Sequence, residues 1–314
     1  MERTSMKRIL CPIDFSEYSV PAYECASSLA RRYGAKLFLQ FVVELWQHPS
    51  ACFAASCAEY EQFRRSLLSA GDERLRLFVK DHPAAGILPE LVVEEGWAGD
   101  SILSFARREA VDLIVVGTHS AQGLDRVLVG SVTEAVLKKA LCPVLAMYQT
   151  PQDSCRPVTS QRGTELREIL FCTDFSDHSN RAFDYAVSLA EEYHAHLTLV
   201  HVVEGLSRLR YSERSAKAYD LLNKLISAQS SQGQGITAVV RAGRAYKEIS
   251  QLVNDKHADL VIMAVHGNNS MDEAVFGSTT YRVVQLGSCP VLAVHPESAA
   301  GKSTEIEAMS NSAQ

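Results

Sequence analysis

Two short segments of this chain repeat, and each carries a carboxylate in the same place. Asp14 lies in Ile9-Leu10-Cys11-Pro12-Ile13-Asp14-Phe15-Ser16, and Asp174 in Ile169-Leu170-Phe171-Cys172-Thr173-Asp174-Phe175-Ser176. A second repeated pair is rich in small residues. Gly117-Thr118-His119-Ser120 leads to Gly130-Ser131-Val132, and Ala264-Val265-His266-Gly267 leads to Gly277-Ser278-Thr279. A Gly-Ser helix start offers backbone N–H groups, a hydroxyl and the positive end of a helix dipole, a combination that holds anions such as phosphate. A carboxylate facing it can accept hydrogen bonds from ribose hydroxyls. Phosphate at one wall and sugar at the other describe a nucleotide. The plainer reading makes each Ser an N-cap and each Gly a turn residue. Recurrence in two diverged copies favours the chemistry, although duplication also preserves idle residues.

Both features must sit at strand ends. Each half reads as alternating strand and helix, beginning with the apolar run Arg8–Ile13 that stops at Asp14. Ala22, Ala26, Leu29, Ala30 and Tyr33 recur as Ala182, Ala186, Leu189, Ala190 and Tyr193, one face of a helix in each copy. Gly34 follows at a helix C-cap. Second strands Lys36–Val43 and His196–Val203 lead into Val-Val-Glu; helices follow near Ala58–Lys80 and Tyr211–Ser230. Third strands are expected at Ile87–Val93 and Ile236–Val240, third helices near Gly99–Glu109 and Ala245–Lys256. Fourth strands, Asp112–Val116 and Asp259–Val265, are nearly unbroken apolar runs, as in strands buried on both faces. Fifth strands, Pro143–Met147 and Pro290–Val294, close the units. The alternation predicts an α/β fold: two parallel sheets in tandem, helices on both faces, right-handed crossovers.

The offset between copies falls from 160 residues (Asp14 to Asp174) to 147 (Gly130 to Gly277), so the first copy holds 13 more, around Leu45 to Cys57. The expected units are residues 1–150 and 165–296, with a Pro- and Gly-containing linker at 151–164 and a small, polar, disordered tail at 297–314. A net charge of -6 gives no footprint for nucleic acid. No apolar run reaches the roughly 20 residues of a membrane helix, and the N-terminus lacks an apolar leader, so a cytoplasmic address is expected. The eight cysteines form no Cys-x-x-Cys pair, which argues against a disulfide framework or zinc knuckle.

These residues resemble the universal stress protein family in its tandem two-domain form. Its nucleotide-binding branch has Gly, two residues, Gly, nine residues, then Gly-Ser or Gly-Thr. The first copy has Gly117, Ser120, Gly130 and Ser131; the second has Ala264, Gly267, Gly277 and Ser278. Spacing is intact in both, and each copy lacks one glycine. The family's Pro-Thr-Asp-Phe-Ser resembles Pro12-Ile13-Asp14-Phe15-Ser16 and Cys172-Thr173-Asp174-Phe175-Ser176. The resemblance implies strand order 3-2-1-4-5 and ATP or AMP as ligand, with Mg admissible. It would put the base near Val42 or Val202, flanked by Val116 or Met263, and the ribose near Asp14 or Asp174. Phosphates would meet His119, Ser120 and Gly130-Ser131-Val132, or His266, Gly267 and Gly277-Ser278-Thr279. Because Ser120 replaces a glycine at the phosphate loop, the second copy is expected to be the better binder.

The resemblance further implies a stress-response sensor or regulatory module, with slow ATP hydrolysis or partner binding with empty sites as alternatives. Fast phosphoryl transfer needs a metal clamp and a nucleophile-positioning residue, and no paired carboxylates stand out. Fifth strands are expected to pair the two copies through Val144–Met147 and Val291–Val294, and the chain to dimerise again. The inserted Trp46, His48, Cys52 and Cys57 suggest a lid or interface more than a metal site. His194, His196 and His201 suggest surface or strand-packing roles, and Cys25 a buried helix position.

Overall fold

The computed structural model describes residues 6–45, 57–84, 86–118, 129–148, 166–205, 208–228, 235–265, 277–287 and 289–295. The inserted Trp46, His48 and Cys52, the linker, the loops carrying His119-Ser120 and His266-Gly267, and the tail lie outside them.

The first copy runs β1 (Arg8–Pro12), α1 (Ser19–Tyr33), β2 (Lys36–Val43), α2 (Cys57–Asp81), β3 (Glu90–Glu95), α3 (Ala98–Arg108), β4 (Leu113–Thr118), α4 (Ser131–Lys139) and β5 (Val144–Tyr148). The second runs β6 (Glu168–Cys172), α5 (Asp177–Tyr193), β7 (His196–Val203), α6 (Arg208–Ala228), β8 (Ile236–Ala242), α7 (Ala245–Lys256), β9 (Leu260–Ala264), α8 (Ser278–Leu286) and β10 (Val291–Val294). The expected fold class stands; most boundaries shift by one or two residues, and the start of the third strand shifts by three. The third strand opens at Glu90, opposite Phe38, after Pro89, which has no N–H to donate to a ladder. Leu88, expected inside that strand, is 94% exposed.

The ten strands form one sheet, in the order β3-β2-β1-β4-β5-β10-β9-β6-β7-β8. Every ladder within a copy is parallel, and the join is antiparallel: Val291, Leu292 and Ala293 face Ala146, Leu145 and Val144. One core cluster lies between the sheet and α1, α2, α5 and α6; the other lies beneath α3, α4, α7 and α8. Both clusters contain residues of both copies.

Several repeated residues prove to be fold devices. Asp112 accepts from the N–H groups of Lys7 and Arg8, and Asp259 from those of Arg167 and Glu168, tying the start of the fourth strand to the first. Glu44 and Glu204, the ends of the Val-Val-Glu runs, accept from the N–H of Ala98 and of Ala245. Each thereby caps a helix whose N-cap residue, Trp97 or Arg244, makes no side-chain cap of its own. The Gly34 C-cap sits at φ 61°, and its counterpart His194 takes the same left-handed conformation at φ 52°.

Candidate nucleotide-type site

In an open parallel sheet the crevice beyond the strand carboxyl ends forms where strand order reverses. Here β1 and β4 are neighbours whose crossovers leave in opposite directions, and so are β6 and β9.

Asp14 follows β1 at this crevice. Its Oδ1 accepts from Ser16 N–H (2.9 Å) and the Ser19 hydroxyl (2.7 Å), while its exposed carboxylate lines the cleft. Asp174 makes the matching turn, accepting from Ser176 N–H (3.0 Å) and the Ser176 hydroxyl (2.6 Å). The intervening Phe15 and Phe175 both have positive φ, 62° and 61°. Such a conformation is costly for an aromatic residue. Phe15 is held by Phe41 (centroids 4.7 Å apart), Phe78 and the Arg74 guanidinium at 4.1 Å. Part of the reason for Asp-Phe-Ser in both copies is therefore this turn.

The facing wall is the N-terminus of α4. Its N-cap is Gly130, with no side-chain cap; exposed Ser131 is the first helical residue. Gly277 and Ser278 stand likewise on α8. The serines are not N-caps, and the helices hold position otherwise: Thr133 donates to the Gly117 carbonyl (3.0 Å) and Thr280 to that of Ala264 (2.9 Å). Each tie fixes the helix start against the end of the fourth strand.

Between these walls lies a cleft of about 590 Å³. Pro12, Ile13, Asp14, Val42, Val116, Gly117, Gly130, Ser131 and Val132, all expected from sequence, line it. Sequence reasoning missed its other walls: Gln40 in the floor, Ala98 and Ile102 of α3, and Leu67, Ala70, Gly71 and Arg74 of α2. Gly71 carried a signal, a glycine inside a helix. A Cβ there would stand 3.1 Å from the Phe41 ring and from Val93.

A cavity of about 640 Å³ is lined by His201, Val202, Val203 and Glu204 of β7 and its end, and by Arg214, Lys217, Ala218 and Leu221 of α6. These positions match Phe41 to Glu44 and Leu67, Ala70, Gly71 and Arg74, one half of the first cleft. Among the described residues expected from sequence, Val202 lines this cavity, and Thr173, Asp174, Met263, Ala264, Gly277, Ser278 and Thr279 do not. The Thr173 hydroxyl is buried against that of Ser179 at 2.9 Å, and Met263 is 5% exposed. Both walls are present in both copies: the Asp14 and Asp174 turns, and the helix starts tied to the fourth strands by Thr133 and Thr280.

Other candidates resolve into packing. His201 Nδ1 lies 2.9 Å from the Thr173 carbonyl, and His196 Nδ1 lies 2.7 Å from Glu168. Burial pushes the Cys25 and Cys172 thiols up to about 12, leaving almost no thiolate for nucleophilic work. Among the described residues no group of three or more His, Cys, Asp or Glu side chains could hold a metal ion. Nor is any described helix long and apolar enough to cross a membrane.

Comparison with known proteins agrees with this architecture. The model of the universal stress protein family matches residues 6–147 and again 165–295. The chain belongs to that family, in tandem form. A universal stress protein of Methanocaldococcus jannaschii is 34% identical over 149 residues, 47% of this chain and 85% of that one. One of Bacillus subtilis strain 168 is 26% identical over 146 residues, 41% of this chain and 99% of that protein. A crystal structure of a universal stress protein from Archaeoglobus fulgidus covers 94% of this chain and 99% of its own, with a TM-score of 0.70 at 20% identity, a likeness of fold.

Proposed function

We propose that this universal stress protein binds an adenine nucleotide, ATP or AMP, in the first-copy cleft and acts as a nucleotide-responsive module of a stress response. The observation that carries the reading is the meeting in one cleft of the Asp14 turn, the apolar end of β2 and the N-terminus of α4 at the strand-order reversal. Phosphate suits the N–H groups at Gly130, Ser131 and Val132. Ribose hydroxyls suit the exposed Asp14 carboxylate. A base suits the slot among Val42, Ile102, Val116 and Val132. In this reading the loop bearing His119 and Ser120 adds phosphate contacts, residues 1–150 and 165–296 are the two units, and the second copy, with His266-Gly267 and Gly277-Ser278-Thr279, is subordinate.

The reading favours binding over rapid turnover. The carboxylates lining the cleft, Asp14 and Glu44, are engaged in a turn and a helix cap. Titration of the full chain with ATP and AMP should give saturable binding. Asp14→Asn keeps the turn acceptor but removes the charge, and should weaken binding about tenfold, the loss of one charge-assisted hydrogen bond. Asp174→Asn should leave this site unchanged. Absence of binding, or a loss confined to Asp174→Asn, overturns the proposal. Steady turnover with Mg at the roughly 1–100 per second of phosphoryl-transfer enzymes overturns its regulatory half.

A further inference from the structure

We propose that the second-copy cavity is a separate site for a small organic phosphate, a phosphate monoester on an apolar body, held by His201, Arg214 and Lys217. Such a site stands apart from the Gly-Ser helix start and needs no nucleotide in the first cleft.

His201 lies on β7 and lines the cavity, its ring 4.5 Å from that of Phe175 between centroids. Its Nδ1 lies 2.9 Å from the Thr173 carbonyl. A carbonyl can only accept, so Nδ1 carries the hydrogen and Nε2 is left for other work. Nε2 makes no hydrogen bond among the described residues, and it keeps accessible surface in a half-buried ring that lines the cavity. The backbone thus fixes an imidazole whose second nitrogen is open to a ligand.

Helix α6 contributes Arg214 and Lys217, three residues apart and so on one face. Both are exposed, and neither has an ion-pair partner among the described residues. Two carboxylates also line the cavity. Glu204 is engaged in capping α7 through the Ala245 N–H, and Glu213 pairs with neither cation. Packing alone does not call for the basic groups, because the first copy builds the same strand and helix with Phe41, Leu67 and Ala70 at these positions. The second copy has exchanged three neutral side chains on two successive elements for three basic ones, all lining one cavity. The cation of the first-copy wall, Arg74, lies over Phe15 and Phe41, and its counterpart is the apolar Leu221.

Donors from two elements suit a group with several acceptor oxygens, and a guanidinium suits phosphate or carboxylate. Nε2 decides between the two. Binding there needs a hydrogen between the nitrogen and the ligand. A phosphate monoester loses its second proton near pH ~6, so one is at hand around neutrality, whereas a carboxylate has lost its only proton by about pH 4. Phe175, Val203, Ala218 and Leu221 supply an apolar wall for the rest of the molecule.

The test is calorimetric titration of the full chain with phenyl phosphate, benzoate and inorganic phosphate. Phenyl phosphate should bind saturably, and about tenfold more tightly than either of the others, since each lacks one half of what the cavity offers. Two variants copy the first-copy residues: His201→Phe, and Arg214→Leu combined with Lys217→Ala. Each should weaken phenyl phosphate about tenfold or more, the loss expected for hydrogen bonds to a charged group. Thermal midpoints without ligand check that both are folded. In proton NMR, the imidazole resonance that vanishes in His201→Phe should shift when phenyl phosphate is added to wild type. Absence of saturable binding, or binding unchanged in both folded variants, overturns the proposal. Benzoate binding as tightly as phenyl phosphate overturns the assignment to a phosphate, and a His201 resonance that stays in place overturns the role of the imidazole.

Discussion

Gly117 and Ala264 occupy the same place near the ends of β4 and β9, yet they answer to different neighbours. A Cβ on Gly117 would stand 2.4 Å from the Tyr18 carbonyl oxygen. Tyr18 is the N-cap of α1, which begins at Ser19; α5 begins at Asp177, so the residue matching Tyr18 is already helical. The Tyr18 carbonyl therefore crowds the strand end in the first copy, and the second copy accommodates a methyl group at the same point. A glycine that looked like a concession to a ligand is first a packing requirement. Gly117→Ala should lower the free energy of unfolding by about 1–3 kcal/mol, the range for overpacking, because the atom it meets is backbone. Ala264→Gly should cost less than about 1 kcal/mol, the entropic difference between the two residues. Urea denaturation of the two variants measures both; equal losses would show that Tyr18 does not set the difference.

At the level of elements, the copies keep their connections while exchanging the residues that make them. The link between the third strand and the third helix is Glu94 to Arg108 in one copy and Arg241 to Asp255 in the other, an ion pair with its charges reversed. Such half-exposed pairs contribute about 0–1 kcal/mol. Glu94→Arg should cost somewhat more than that, because it also sets two guanidinium groups together and releases the Gln40 amide. Adding Arg108→Asp should recover the part of the loss due to the paired guanidinium groups in a double-mutant cycle, while the Gln40 amide stays without its acceptor; no recovery would mean that the pair does not couple strand to helix. Elements of this kind were legible in the sequence because their signals are local or repeated. Apolar runs gave the strands, and the alanine face gave α1 and α5. Asp14 and the Gly-Ser helix starts were found by their spacing. The capping roles of Glu44 and Glu204 and the ties of Thr133 and Thr280 to the fourth strand were not, because they join residues far apart in sequence. Gln40 was hidden for the same reason: within Leu39-Gln40-Phe41 a single polar letter interrupts a strand, and the carboxylate that accepts from its amide, Glu94, lies on another strand.

For the whole molecule, the consequential contact is the antiparallel seam between β5 and β10. Each fifth strand would otherwise be a sheet edge with unpaired backbone groups, and the seam leaves β3 and β8 at the rims. Other groups cross it. The Tyr148 hydroxyl donates to the Val284 carbonyl, Arg32 pairs with Glu192 at 3.2 Å, and its guanidinium lies 3.8 Å from the centre of the Tyr193 ring. With both core clusters running through both copies, the chain should unfold as one cooperative unit despite its length. The distribution of tryptophan makes this measurable. Trp46 and Trp97 are the two tryptophans of the chain, and both belong to the first copy. Tryptophan fluorescence therefore reports the first copy, while far-ultraviolet circular dichroism reports both. In urea the two transitions should coincide. Tyr148→Phe removes a hydroxyl of the first copy that is buried against a carbonyl of the second, and should cost about 1–2 kcal/mol, since that carbonyl loses its donor. Both transitions should move together to lower urea. A fluorescence midpoint that shifts while a separate dichroism transition stays in place would mean that the copies share a sheet without sharing their stability.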